Sequence, residues 1–299
     1  DLVRSRGLGD VYKRQMEAYA ESKKLLFKNV LSNTKQNKFW IFPSDDSYGR
    51  KWFEEMPFDK KINYSRQASA ILKATQVIEY LDHTEFVFSY LWKLYRSSTK
   101  LLGAYNVNNV LAAIAVGIEL WLDIATILKS TESFEWVDGR LQKQEIGGVT
   151  YFVDFAHTPD GLEKTLSFLS GQKGDKKLIT VFGCPGNRDK EKRPVMGEIA
   201  WKYSDIAICT DDDPDTENRL KILDDLSKPI QERLLAGGKN SYILPERQYA
   251  IQFTMDVAKP GDIVLLAGKG HEQVQLTNFG KRKWNDNVVL LELAKQRNL

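Results

Sequence analysis

Residues 181–217 read VFGCPGNRDKEKRPVMGEIAWKYSDIAICTDDDPDTE, and their pattern decides the fold. Leu178–Gly183 is an apolar run halted by Gly and Pro, and Ile206–Thr210 is a second, halted by acids around Pro214. Both read as buried strands. Between them Pro194 suits the start of a helix, with Met196, Ile199 and Ala200 at helical spacing. The same unit recurs upstream. Thr150–Phe155 is apolar and β-branched, and His157-Thr158-Pro159-Asp160 reads as a loop ending in a Thr cap with Pro at the first helical position. Downstream, Ile263–Ala267 is a fourth strand, cut by Gly268-Lys269-Gly270. Strands alternating with helices predict an α/β fold with a largely parallel sheet, whose ligands bind beyond the carboxyl ends of the strands. All four polar loops follow their strands. One crevice is therefore expected to gather Asp154 and His157, then Arg188, Lys192 and Arg193, then Asp211 to Asp213 with Asp215 and Glu217, and finally Lys269, His271 and Glu272.

Bulk properties bound the rest. A chain of 299 residues has room for two domains and a large core, and its 42% hydrophobic fraction is that of a globular protein. The net charge is only +3 with the signs interleaved, which argues against a nucleic-acid partner. Cys184 and Cys209 lie on or beside expected parallel strands without metal-ligand spacing, and fit reduced thiols of a cytoplasmic protein. No apolar stretch approaches a membrane span and no signal-like segment opens the chain, so membrane insertion is not expected.

Residues 1–15 are polar and basic with no clean period, and read either as a non-native segment or as a disordered arm. Residues 16–33 are helical in pattern, with Tyr19, Lys23, Leu26, Phe27 and Val30 on one face; on spacing alone Lys23 snorkels its charge to solvent. Phe39–Pro43 is a strand, and Asp45-Asp46 in the turn after it reads as a cap. Ile62–Leu101 reads only as short strands and turns. Gly103–Leu122 is a long apolar helix with Asn106 and Asn109 at its start, either capping it or free to read a purine edge. Phe134–Gln142 looks like a connector, with the domain boundary just before it; Arg140 there is a surface charge unless the linker faces a nucleotide. Leu220–Gly237 is amphipathic, with Pro229 marking a break or restart. A further helix starts at Pro245, and a Gly280-Lys281 turn precedes a helix entry at Trp284-Asn285-Asp286.

Together these pieces resemble the Mur ligases, the ATP-dependent amide-forming enzymes of peptidoglycan synthesis, and among them the branch that adds an amino acid to UDP-MurNAc-dipeptide. The matching pieces are MEAYAESKKLLF, DDSYG, GAYNVNNVLAAIA and VDGRLQ, followed by VDFAHTPDGLE, VFGCPGNRDKEKRPVMGEIA, TDDDPDTE, ERQYAI and LLAGKGHEQVQ. They stand in the family's order across nearly everything after residue 15. The resemblance implies an incomplete central, ATP-binding domain at 16–133 and a Rossmann-like C-terminal, amino-acid-binding domain at 134–299. It implies ATP and Mg2+ as cofactors, UDP-MurNAc-dipeptide and a free amino acid as substrates, and a monomer. The carboxylate is activated to an acyl phosphate, which the amine attacks. Lys23 matches the family lysine that is carbamylated to help hold the metal, which reverses the snorkelling reading; it and His157 would serve catalysis. Asn106 and Asn109 match residues near the adenine, Arg140 one near the nucleotide, and Asp154 and His157 residues around ribose and phosphates. Arg188 matches the arginine that pairs with the carboxylate of the incoming amino acid, a task suited to a bidentate guanidinium. Gly268 and Glu272 match residues gripping that amino acid's far end.

Two departures carry expectations. Members that add diaminopimelate have Asp-Asn-Pro-Arg where this chain has Asp212-Asp213-Pro214-Asp215, so the expected substrate is L-lysine or ornithine, met by Asp213, Asp215 or Glu272. No G-x-x-x-x-G-K-[ST] phosphate loop occurs, so this chain is expected to be inactive alone. Two alternatives stay open: a folylpolyglutamate- or cyanophycin-synthetase-like ligase, and a non-catalytic member that binds a nucleotide or a partner.

Overall fold

A computed structural model describes residues 2–35, 38–234 and 240–299, excluding the side chains of 2–16 and 232–234. The expectation for residues 1–15, and the 235–237 end of the expected amphipathic helix, lie outside the described side chains and residues. The chain divides into two compact units: Asp1–Ile78, Thr84–Thr99 and Ala104–Phe134 form the first, and Glu79–His83, Lys100–Gly103 and Glu135–Leu299 the second.

The first unit contains α1 (Leu2–Ser32), β1 (Phe39–Pro43), α2 (Ser47–Glu55), β2 (Lys60–Ser65), β3 (Leu72–Glu79), β4 (Thr84–Tyr90), β5 (Lys93–Thr99), α3 (Ala104–Glu119) and α4 (Ile124–Ser133). Its sheet has the order β1-β2-β3-β4-β5, with β1, β2 and β3 parallel and β4-β5 an antiparallel hairpin. Residues 62–101, which carry little pattern as sequence, thus supply most of a five-stranded sheet. In β4 the side chains of Thr84, Phe86 and Phe88 are buried and alternate with more exposed neighbours, the signature of a one-sided strand. Phe27 of α1 joins Phe42, Met56 and Phe58 in an aromatic core, with the Trp40 ring 4.4 Å away. The two acids after β1 have separate structural tasks. Asp46 caps α2 through the Gly49 N–H at 2.8 Å. Asp45 accepts from the N–H groups of Arg66 and Gln67, at 2.9 and 3.0 Å, and from the Asn108 amide at 3.1 Å. Burial pushes its carboxyl up, yet these donors hold it well below the usual carboxylate range.

The second unit contains β6 (Gln142–Ile146), β7 (Val149–Asp154), α5 (Pro159–Gln172), β8 (Leu178–Phe182), α6 (Lys192–Tyr203), β9 (Ile206–Cys209), α7 (Arg219–Leu234), β10 (Asn240–Ile243), α8 (Arg247–Val257), β11 (Ile263–Ala267), β12 (Val274–Thr277), β13 (Gly280–Lys283) and α9 (Asp286–Gln296). The main sheet runs β10-β9-β8-β11-β7-β6, parallel except for the β6-β7 pair. Every residue of β8, β9 and β11 is buried, as strands covered on both faces must be. Val153, Val181, Ile208 and Leu266 share one core with Ile251 of α8 and Leu290 of α9.

Local chemistry starts the helices. Thr158 accepts from the Gly161 N–H at 3.2 Å ahead of Pro159, and Asn285 accepts from the Val288 N–H at 3.1 Å. Where a break was expected, α7 continues through Pro229. There α6 packs so closely that a Cβ on Gly197 would lie 2.0 Å from the Leu226 carbonyl oxygen, so tertiary packing holds a helix that local preference would interrupt. Both cysteines are free and buried, and burial pushes the Cys184 thiol up to about 12.

Arg247 and Asp286 form an ion pair with no solvent exposure on either side chain, Nε to Oδ1 at 2.8 Å and Nη2 to Oδ2 at 2.6 Å. Removing one partner strands the other charge inside the core. Asp286→Ala should cost about 3–5 kcal/mol of folding stability in urea unfolding, and replacing both residues with apolar ones of similar volume should recover much of it.

Candidate active site

Four loops leave the carboxyl ends of β7, β8, β9 and β11, and hydrogen bonds stitch them into one surface of the second unit. Lys192 Nζ donates to the His157 carbonyl at 2.8 Å, joining the loops after β7 and β8. The Gly186 N–H donates to the Asp213 carbonyl at 2.7 Å, joining those after β8 and β9. A Cβ on Gly186 would sit 2.0 Å from the Pro214 carbonyl oxygen, so only glycine permits this approach. The Gly268 N–H donates to the Asp154 carbonyl at 3.0 Å, which brings in the loop after β11.

At the centre stands Lys269, a cation with no solvent exposure. Its Nζ lies 2.6 Å from Glu272, 2.7 Å from Asp213 and 3.8 Å from Asp212. These acids are the one group among the described residues spaced to share a metal ion, and an ammonium already lies among them. Burial works to lower the Lys269 pKa, but the surrounding acids leave it raised. Gly268, at φ +111°, would carry a Cβ 3.2 Å from the Asp212 carboxylate.

Beside this cluster Asn187 donates to the Asp215 carboxylate at 3.0 Å and to the Thr216 hydroxyl at 2.8 Å. Arg188 follows, exposed, and no hydrogen bond or ion pair among the described residues holds its guanidinium. The neighbouring Arg193 is fully buried and committed: it grips Glu217 with both terminal nitrogens at 2.9 and 2.8 Å, and reaches Asp225 at 3.1 Å. That fork brings the Glu217 carboxyl down to about 2.

On the β7 side, Phe155 is the hub. The Arg140 guanidinium lies 4.9 Å from its ring centroid, and the His157 and His271 rings lie at 4.4 and 5.1 Å. The VDGR turn reaches this point because Gly139, at φ +64°, leaves room where a Cβ would lie 2.0 Å from the His271 nitrogen. His157 Nδ1 sits 2.8 Å from the Phe155 carbonyl oxygen and so carries a proton, leaving Nε2 as the other functional nitrogen. Asp154 turns inward: its carboxylate accepts from the Leu141 N–H at 2.7 Å, the Ala156 N–H at 3.0 Å and the Thr165 hydroxyl at 3.3 Å. Burial raises its pKa in spite of these donors.

Lys23, Asn106 and Asn109 belong to the first unit. Lys23 is exposed on α1 with its ammonium 5.3 Å from the Tyr19 ring. Asn109 donates its amide to the Asn106 side-chain oxygen at 2.9 Å. Sequence reasoning passes over Arg247 inside ERQYAI, and places Lys269 in the crevice without naming the acids it contacts. The available signal was electrostatic: three consecutive acids after a buried strand require buried counter-charges.

The architecture is that of a two-unit α/β protein with polar loops gathered at the carboxyl edge of a largely parallel sheet. The chain belongs to the Mur ligase family. The Mur ligase middle domain matches residues 9–117, and the Mur ligase glutamate ligase domain matches residues 139–270. The UDP-N-acetylmuramoyl-L-alanyl-D-glutamate–2,6-diaminopimelate ligase of Geobacter metallireducens is 35% identical over 289 residues, covering 92% of this chain and 56% of that protein. A solved structure of a ligase of the same name has a TM-score of 0.63 at 29% identity, covering 95% of this chain and 57% of the other. The MurF ligase of Thermotoga maritima, solved in complex with ADP, shares the fold with a TM-score of 0.63 at 16% identity, over 88% of this chain and 55% of its own. The chain spans a little over half the length of the curated relatives it matches.

These relatives overturn the expectation of lysine or ornithine, because they are named for diaminopimelate. Nor do they favour a folylpolyglutamate- or cyanophycin-type enzyme or a non-catalytic member. Asp213 and Glu272, counted as counter-charges for a cationic substrate, each already contact the Lys269 ammonium. Among the described residues no helix is long and apolar enough to cross a membrane.

Two carboxyls of the site should shape stability with opposite signs. Burial lifts Asp212 from 3.8 to about 6, against the pull of Lys269 and Arg247. Its contribution to stability should fade as pH rises through that window, and Asp212→Asn should flatten the slope. Glu217 is held down from 4.5 to about 2, so its contribution should be complete above 4.5 and lost as pH falls toward 2. Glu217→Gln should remove that acid limb; urea midpoints measured from pH 2 to 7 check both.

Proposed function

We propose that this chain is part of an ATP-dependent ligase that joins 2,6-diaminopimelate to UDP-N-acetylmuramoyl-L-alanyl-D-glutamate through an amide bond. The observation that carries the reading is the convergence of four strand-end loops on one polar edge, with Arg188 uncommitted beside an acid cluster built around Lys269. The matched relatives supply the names of the substrates.

A carboxylate does not react with an amine at neutral pH, and phosphorylation by ATP makes it an acyl phosphate with phosphate as the leaving group. The amine nitrogen attacks the acyl carbon, loses a proton, and the tetrahedral adduct expels phosphate. In this reading Arg188 pairs with the carboxylate beside the reacting amine, holding the nucleophile in register. Gly268, Asp213, Asp215 and Glu272 border the rest of that amino acid. His157 and Arg140, both packed on Phe155, face the nucleotide phosphates, and Asp154 serves there by fixing the turn that carries His157 and Leu141.

Magnesium accompanies ATP in such reactions. Lys23 pairs with no acid among the described residues, and Lys269 already fills the single acid cluster with suitable spacing. The residues described do not by themselves make a magnesium site.

In the enzyme that contains this chain, phosphate release should depend on diaminopimelate. Arg188→Ala should raise KM for it about ten- to a hundredfold, the loss of a charge-assisted fork worth roughly 1.5–3 kcal/mol, with a smaller effect on kcat. Release stimulated equally by amino acids that lack a second carboxylate would sink the reading.

A further inference from the structure

The β4-β5 hairpin turns on Leu91 and Trp92, between the paired residues Tyr90 and Lys93. Both turn residues have positive φ, +48° and +67°, the signature of a two-residue type I′ turn, which asparagine and glycine ordinarily occupy. At the end of α3, Trp121 repeats the anomaly. Its N–H donates to the Ile118 carbonyl at 2.9 Å, and the Leu122 N–H donates to the Gly117 carbonyl at 3.1 Å. The helix therefore closes through a left-handed residue, Trp121 at φ +61°, in a place usually held by glycine. Two indoles thus stand where an L side chain strains the backbone.

Neither ring gains burial in return. Trp92 is fully exposed and Trp121 is 86% exposed, and Leu91, Leu94, Leu120 and Leu122 beside them are each more than half exposed. The two turns are neighbours within the first unit. Burial, and after it the charge of Glu119 at the end of α3, raises the phenol of Tyr90 at the end of β4. They share the end of the sheet at which β2 and β3 begin. Lys60, the first residue of β2, holds its ammonium 5.8 Å from the centre of the Trp121 ring, and the Ser89 hydroxyl of β4 lies 3.5 Å from the Lys73 carbonyl oxygen of β3.

The shape and chemistry of this end choose its occupant. The indoles project from the apices of two turns, where a protein partner would need a complementary surface around each ring and a fluid lipid interface needs none. Tryptophan settles at the level of lipid headgroups because its ring is apolar while its N–H stays wet. Lys60 and Lys93 flank the rings, and no acid among the described residues pairs with either, which leaves both ammoniums for lipid phosphates. Of the acids at this end, Asp123 is engaged in capping α4 through the Thr126 N–H at 3.2 Å. Asp59 and Glu119 offset part of the positive charge, so the rings supply most of the affinity and the cations a smaller share. We propose that this end of the first unit is a docking surface for a phospholipid bilayer, with Trp92 and Trp121 entering the headgroup layer and Lys60 and Lys93 resting on its phosphates. None of these residues belongs to the candidate active site.

Co-sedimentation of the 299-residue chain with vesicles tests this, one set made of phosphatidylcholine alone and one of equal parts phosphatidylcholine and phosphatidylglycerol. The chain should bind both, the anionic set several-fold more tightly, with its tryptophan emission shifted to the blue and quenched by brominated acyl chains. Trp92→Gly and Trp121→Gly should each weaken vesicle binding about tenfold or more, the loss of one buried ring. Each should also raise the urea midpoint, because glycine fits a left-handed turn without strain. Replacing both lysines, Lys60→Gln with Lys93→Gln, should erase the preference for anionic vesicles and leave binding to phosphatidylcholine within about twofold. A chain that binds neither set of vesicles overturns the proposal, as does binding unchanged in the glycine variants. Glycine variants that unfold at lower urea than the parent overturn it too, since the rings would then serve the fold. A concentration-dependent dimer that Trp92→Gly dissociates, without vesicle binding, overturns it in favour of a second copy of this chain.

Discussion

Arg247 has no access to solvent, and desolvating a guanidinium is tolerable only when each donor direction meets an acceptor. Asp286 supplies a bidentate partner and itself accepts from the Trp284 indole at 2.8 Å. The remaining donors go to the backbone: the Ala267 carbonyl at 2.9 Å and the Asp211 carbonyl at 3.4 Å. Those carbonyls lie where β11 ends and just beyond β9, where ladder pairing stops and a peptide group would otherwise lack a partner. One buried cation therefore sets the strand ends from which Lys269 and the Asp211–Asp213 run depart. The functional edge inherits its geometry from that pair.

A second cation finishes the arrangement. Lys269 offsets mutual repulsion among Asp212, Asp213 and Glu272 and fixes their carboxylates. Arg193 does the same for Glu217 and Asp225 on the neighbouring loop. The interior thus uses its basic groups to hold acidic loops in place. Arg188, one turn of loop away from Arg193, is exposed and uncommitted. Arg193 is tied to carboxylates and serves the scaffold, whereas Arg188 is left exposed at the edge.

Much of this was legible in the letters. The continuous apolar runs 178–183, 206–210 and 263–267 fall on β8, β9 and β11, since strands buried on both faces tolerate few polar side chains. Thr158-Pro159 announced α5 because capping and a preset φ are properties of adjacent residues. Residues 62–101 were opaque because their strands are half-exposed, and Pro229 misled because close packing by α6, not local preference, keeps α7 intact. The lysine expectation rested on the formal charge at 213, 215 and 272, which is readable, whereas the contact of Asp213 and Glu272 with a lysine 56 positions from Asp213 is not.

The sequence by itself determined the α/β alternation, the helix starts, the ordered family motifs and the placement of polar loops behind strands, all of which depend on neighbours within a few residues. Only the tertiary structure decided which charges cancel one another. Coulombic partners such as Arg247 with Asp286, or Lys269 with Asp213, are distant in the chain and meet only once the sheet is assembled. Desolvation then makes an unpaired buried charge too costly to persist, so the fold assigns each buried cation its partners.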